Sequence, residues 1–409
     1  MPTTLPPPAA EDTLAPTQRP PAQPMTPRVE SAPPPPTAAD ARPLIELRPP
    51  FLFAELRRGV LGQDKALRHV AVAIYKHTTG KVSGNLLLVG PSGTGKTTIM
   101  NNIQRLYHEV PEYKPFRSVT IINANLLVDS DRMEFRPDRL LAAVEQRARA
   151  ILGPNPAAAE LKEAIERATI CVDEIDKMSA VVAGRPNAIG VVLQQGLLTL
   201  MEGEHVAHKT HAWVDGEDKN LTLDIDTGRM MFLCGGAFEG IYDQVYDRVT
   251  KPGSGERLRT HTIRNADGQV RIETRFSLAD FLKPQDLFDY GMVPQFLARF
   301  DQTVLLNDLG SDTLKEILLS SFDSPFVRSR RYFAVMGIEL EMEELAAALI
   351  AERAARDTRT GARSLRPIFT DLINPFEFDP WGKPTLEPIA DGRYRLQITA
   401  DLVREALAR

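Results

Sequence analysis

Two groups of residues in this chain are typed and spaced for phosphate chemistry. Gly90-Pro91-Ser92-Gly93-Thr94-Gly95-Lys96-Thr97 follows the apolar run 85–89, so the G-x-x-x-x-G-K-[ST] pattern sits where it must, between a buried strand and a helix start. Glycines at 90, 93 and 95 let backbone N–H groups turn inward to phosphate oxygens, and the helix opening near Gly95 adds its positive end. Lys96 is spaced to set an ammonium between the β- and γ-phosphates. Thr97 is spaced to offer a hydroxyl to Mg²⁺, and Thr98 completes the expected cofactor-binding stretch. The cofactors implied are ATP and Mg²⁺. A second run, 168–176, is an apolar strand that ends Asp173-Glu174-Ile175-Asp176. At the end of that strand, Asp173 is placed to hold Mg²⁺ and Glu174 to deprotonate the water that attacks the γ-phosphate.

These groups need a scaffold, and the apolar pattern supplies one. Short, near-continuous apolar runs occur at 85–89, 118–123, 168–173, 230–235 and 301–306, separated by helical or mixed segments. Such runs mark strands buried on both faces of a parallel sheet. The fold class expected is α/β, a five-stranded parallel sheet flanked by helices, with ligands at the strands' carboxyl ends. After residue 308 the texture changes to helical periodicity at 311–322, 343–356 and 361–374. A short β pair near 385–398 and a last helix at 400–408 follow. The organisation expected is a tail at 1–42, a large α/β domain at 43–308 and a smaller, mostly helical domain at 309–409.

Composition narrows the class further. The tail holds thirteen of the 32 prolines and cannot bury enough apolar surface to order itself, so it is read as disordered. Its Pro33–Pro36 run suits a spacer or an aromatic groove. A net charge of −5 with interspersed signs gives no basic face for nucleic acid. No run is long and apolar enough to span a membrane, and no signal peptide is visible, so a cytoplasmic location is expected. Cys171 and Cys234 sit in apolar runs and are read as buried free thiols.

Beyond these residues the chain resembles the ClpX-type AAA+ ATPases, the Hsp100-like unfoldases that also include HslU, over about residues 55–380. Val60-Leu61-Gly62-Gln63-Asp64 is similar to the segment that cups adenine, which makes Leu61 a base contact. Asp173–Lys177 resembles the second nucleotide motif. Residues 190–198 resemble the helix after the second pore loop, and Phe232-Leu233-Cys234-Gly235-Gly236-Ala237-Phe238 the fourth-strand signature. Residues 292–299 resemble the box that carries an arginine finger, and Thr360-Gly361-Ala362-Arg363 the sensor-2 motif. The resemblance implies that Arg299 reaches a neighbouring subunit's γ-phosphate and that Arg363 reaches back to the phosphates of its own. A finger acting in trans implies a ring, which in the family is a homo-hexamer. The activity implied is ATP hydrolysis driving a protein-remodelling motor, an unfoldase or chaperone with protein clients. The alternative is a dedicated assembly or activation factor that remodels one partner without threading it. A DNA-directed AAA+ protein fits less well with the acidic balance and the Gly-Gly-Ala-Phe string.

Three departures limit what carries over. The family's zinc-binding N-terminal module is missing. The first pore loop, Val128–Pro137, lacks the Gly-aromatic-hydrophobic-Gly grip; Met133 and Phe135 either grip a polypeptide or anchor the loop. The region Lys251–Arg259 lacks the tripeptide that docks the ClpP peptidase, so that partnership is not carried over. Finally, His205, His208 and His211 recur every third residue in what corresponds to a basic loop at the pore entrance. Zinc, substrate contact and plain solvation all remain open for them.

Overall fold

The computed structural model describes residues 47–408 apart from 81–83, 130, 183, 215, 265–269, 358 and 382–384. The proline-rich segment 1–42 lies outside the described residues. Five strands, β1 (Leu86–Val89), β2 (Val119–Asn123), β3 (Thr169–Asp173), β4 (Met231–Gly236) and β5 (Gln302–Leu305), form a sheet in the order β5-β1-β4-β3-β2. Every neighbouring pair is parallel. Each strand falls within a residue or so of an apolar run read from the sequence.

Burial on both faces explains why the runs of β1, β3 and β4 are continuous. Leu86 and Leu88 join Val119, Cys171, Met231, Leu233 and Val304 in a core under the helices Pro49–Arg57, Asp64–Thr78 and Lys96–Glu109. Leu87 and Val89 point the other way, with Ile122, Ile170, Val172, Phe232 and Cys234, against Pro137–Leu152, Ala188–Met201 and Glu239–Thr250. Cys171 and Cys234 are free and fully buried on opposite faces, and burial pushes both thiols up in pKa. The sheet thus carries helices on both sides, and β1, β3 and β4 lie side by side with their carboxyl ends together.

A third core begins at Leu309 and draws only on residues from there to Val403. It joins five helices, Ser311–Ser320, Pro325–Val335, Glu344–Ala355, Leu365–Phe378 and Ala400–Ala408, to a small sheet. In that sheet Ile338–Met342 runs parallel to Tyr394–Ile398, and Leu386–Pro388 runs antiparallel to it. The helix Pro325–Val335 and the strand Ile338–Met342 are additions to the sequence reading. The helix has the marks of a start, since the Ser324 side chain accepts from Val327 N and proline occupies the first turn.

Between the helix Ala188–Met201 and β4 stands a long antiparallel hairpin, His205–Val214 with Glu217–Asp226. The three histidines therefore lie on a strand, whose period of two separates them. His205 and His211 are exposed on one face, and His205 Nδ1 pairs with Asp224 Oδ2 at 2.9 Å. His208 faces the protein, 6 % exposed, with its Nε2 2.6 Å from Glu145 Oε2. With His208 turned inward and the other two facing out, the three do not converge, and no cluster of three or more His, Cys, Asp or Glu side chains placed to share a metal occurs among the described residues.

The loop expected to face a channel is a small β pair, Val128–Asp129 against Glu134–Phe135. Phe135 is half-buried and lies directly over Gly196, where an added Cβ would sit 2.1 Å from the ring. Met133 is at the exposed tip, 41 % accessible, with φ 54°. The two side chains thus divide the roles left open by the sequence: Phe135 anchors the loop, and Met133 is the one presented.

Candidate nucleotide site

The phosphate loop leaves β1 and turns into the helix Lys96–Glu109. Gly93 and Gly95 have φ of 75° and 105°, the left-handed region that favours glycine. At Gly93 the demand is also steric, since a Cβ would lie 2.1 Å from Thr360 O and 3.0 Å from Arg363 N. Ala362 N donates to Gly93 O at 3.1 Å, so the sensor-2 segment rests on the loop's backbone. A cleft of about 1480 Å³ runs from Val60, Leu61 and Gly62 along the loop to Asp173, Glu174 and Arg363.

Ser92 to Thr98 and Leu61 all line this cleft. Gly90 and Pro91 sit behind it, where their carbonyls accept from Lys96 Nζ at 2.6 and 2.9 Å. Burial lowers the Lys96 pKa to about 8, opposed by the charges of Asp173 and Asp176. The ammonium is thus held in a partly dry pocket, where its attraction to phosphate is strongest. Thr97 Oγ1 donates to Asp173 Oδ2 at 2.7 Å. A hydroxyl and a carboxylate in contact at the loop's end are the hard oxygen donors that Mg²⁺ takes, so the residues present fit that ion.

Glu174 follows Asp173 with φ 56°, an uncommon conformation for a residue with a side chain. Its N–H donates to Asp173 Oδ1 at 2.9 Å, and Asn123 Nδ2 donates to its Oε2 at 2.6 Å. Asn123 ends β2 and is register partner to Asp173. It escaped the sequence reading, although an amide closing an apolar run beside an acid-ended strand is a signal of a kind. Arg363 extends over the loop and donates to Ser92 Oγ.

Arg299 stands elsewhere. It does not line the cleft, and its guanidinium donates to Glu202 Oε1 just beyond the helix Ala188–Met201. The structure therefore gathers Lys96, Thr97, Asp173, Glu174 and Arg363 around one cleft and leaves Arg299 outside it. Sequence reasoning also missed Glu202 and the carboxamide of Gln63, which donates to Thr94 O and Asn307 O.

A phosphate loop, an acid-ended third strand and a 5-1-4-3-2 parallel sheet together define a nucleotide-binding AAA+ ATPase. Comparison with known proteins agrees, since the AAA domain (Cdc48 subfamily) matches residues 81–303. The chain belongs to that family and is an ATPase of the ClpX type. It is 27 % identical over 366 residues to the ATP-binding subunit ClpX of the ATP-dependent Clp protease of Bacteroides thetaiotaomicron, covering 86 % of this chain and 79 % of that one. The corresponding subunit of Treponema denticola is 28 % identical over 77 % of this chain and 72 % of its own. That of Porphyromonas gingivalis is 27 % identical over 77 % and 73 %. No helix among the described residues is long and apolar enough to cross a membrane.

Proposed function

We propose that this chain is an ATP-driven protein-remodelling motor, working as a homo-hexameric ring in the cytoplasm on protein clients. The observation that carries the reading is the split of the catalytic set: a cleft holding Lys96, Thr97, Asp173, Glu174 and Arg363, with Arg299 outside it. In this reading residues 43–308 form the hydrolytic domain and 309–409 a smaller domain that Arg363 couples to the phosphates. Lys96 binds the β- and γ-phosphates, and the loop's N–H groups cradle them. Asp173 and Thr97 would hold Mg²⁺, which when bound neutralises charge on the phosphate oxygens. Glu174 takes a proton from the attacking water once its carboxylate leaves Asn123, and Arg299 stabilises the neighbour's transition-state charge. The second reading, an assembly factor that does not thread its partner, draws support from Phe135, which is spent on anchoring rather than grip. Capture of clients by the Glu174→Gln protein tests the choice. Clients held along an extended segment, with translocation of a tagged terminus, support the motor; a single folded partner released intact supports the alternative.

A further inference from the structure

We infer that Gln63 is a positioning residue that ties the phosphate loop to the connector into the helical part of the chain and carries the state of one to the other. The inference rests on the reading of the cleft as a nucleotide site that drives motion. Gln63 is a fully buried carboxamide, 0 % exposed, that bonds only to main-chain groups far away in sequence. Its Nε2 donates to Thr94 O at 3.0 Å and to Asn307 O at 2.9 Å, and its Oε1 accepts from Asn307 N at 2.9 Å. Both amide hydrogens are therefore committed, one to each side of the bridge.

The two sides are the parts that would have to communicate. Thr94 lies between Gly93 and Gly95, is 1 % exposed, and its own hydroxyl is tied to Pro91 O at 2.8 Å. It cannot shift without moving the loop. Asn307 follows β5, and Leu309, two residues on, already belongs to the core of the helical part. Gly62 presses the same segment against the first helix of that part, since a Cβ there would stand 2.6 Å from Thr313 Cγ2 and 3.2 Å from Leu309 Cδ2. Gln63 itself is closed to water, so if the two carbonyls separate, one of its buried amide hydrogens loses its partner. A rearrangement of Thr94 on phosphate binding must therefore pull on Asn307, where the connector begins.

Space-filling and bonding roles separate on Gln63→Met, which keeps the length of the side chain and removes its hydrogen bonds. Spin labels on Val72→Cys and Val335→Cys, both exposed valines, report the distance between the two parts in full-length protein. The distance is read without nucleotide, with ADP and with a non-hydrolysable ATP analogue. Gln63→Met is expected to bind the analogue within about tenfold of the parent and to lose most of the nucleotide-dependent distance change. The full change retained in Gln63→Met overturns the inference alone. No change in the parent overturns the motor reading and the inference with it. Should Gln63→Met fail to fold, amide exchange of the unaltered protein decides. The Asn307 N–H is expected to change its protection when the analogue binds, and an unaltered rate overturns the inference.

Discussion

Glu174 is held in a strained left-handed conformation with its carboxylate clamped by an amide, and the proposed function makes it the base. Glu174→Gln should bind ATP with near-parental affinity and hydrolyse it at least ~100-fold more slowly, because the cradle survives and the base does not. Equal loss of binding and turnover in parallel titration and phosphate-release assays would remove Glu174 from that role. Lys96 gives a pH prediction. Burial lowers its pKa to about 8, so the ammonium is charged below that pH and loses its proton as pH rises through it. Because phosphate binding needs the charged form, ATP affinity should fall by up to ~10-fold per pH unit above about 8, with proton uptake on binding. Lys96→Arg should flatten that slope in calorimetry at pH 7–9. The nucleotide-motif residues were legible because each stands in a short contiguous pattern of residue types that implies its chemistry. Asn123, Gln63 and Glu202 were not, since each matters only through a partner 31 to 244 residues away and no motif gives it that role.

Among the elements, the three central strands were readable because two-sided burial writes them as nearly unbroken apolar runs, whereas the edge strand β5 is exposed at Gln302 and Thr303. The hairpin 205–226 was not. Its strands alternate polar groups on both faces, and His208 is buried only because Glu145 on the helix Pro137–Leu152 receives it. The Asp215-Gly216 dipeptide in the sequence is a hairpin-turn signal that the reading did not use. In the helical part, Ile338–Met342 is a strand because it pairs with residues more than fifty positions later, a partnership no local window contains. The first loop yields a paired prediction. Phe135→Ala should lower stability by ~1–3 kcal/mol through lost burial against Gly196, read as a denaturation midpoint. Met133→Ala, at an exposed tip, should shift stability by no more than about 0.5 kcal/mol. If the tip contacts a client, ATP turnover persists while client remodelling falls; unchanged remodelling would exclude this loop from the work.

For the whole molecule, the proposed role of Arg299, which lies outside its own cleft, would make activity a property of neighbours. Arg299→Ala should abolish turnover and leave nucleotide binding intact, and so should a ring of Lys96→Ala subunits fail to turn over. Mixed rings should regain part of the activity, because some interfaces then pair an intact cradle with an intact arginine. No recovery in mixed rings verified by native mass spectrometry would refute a shared site. The order β5-β1-β4-β3-β2 has one more consequence, and it concerns birth rather than work. β1, which carries the phosphate loop, pairs with β4 and β5 and, among the described residues, with no strand made earlier. On the ribosome, β2 and β3 can zip together soon after they emerge, while Leu86–Val89 waits for Leu233 and then Gln302 to be synthesised. At about 5–20 residues per second that wait lasts roughly ten to forty seconds. Throughout it, four consecutive aliphatic residues stand without partners on either edge. A nascent chain stalled short of Met231 should therefore be the form most prone to aggregation and to capture by holding chaperones, and lengthening it past Leu305 should release it.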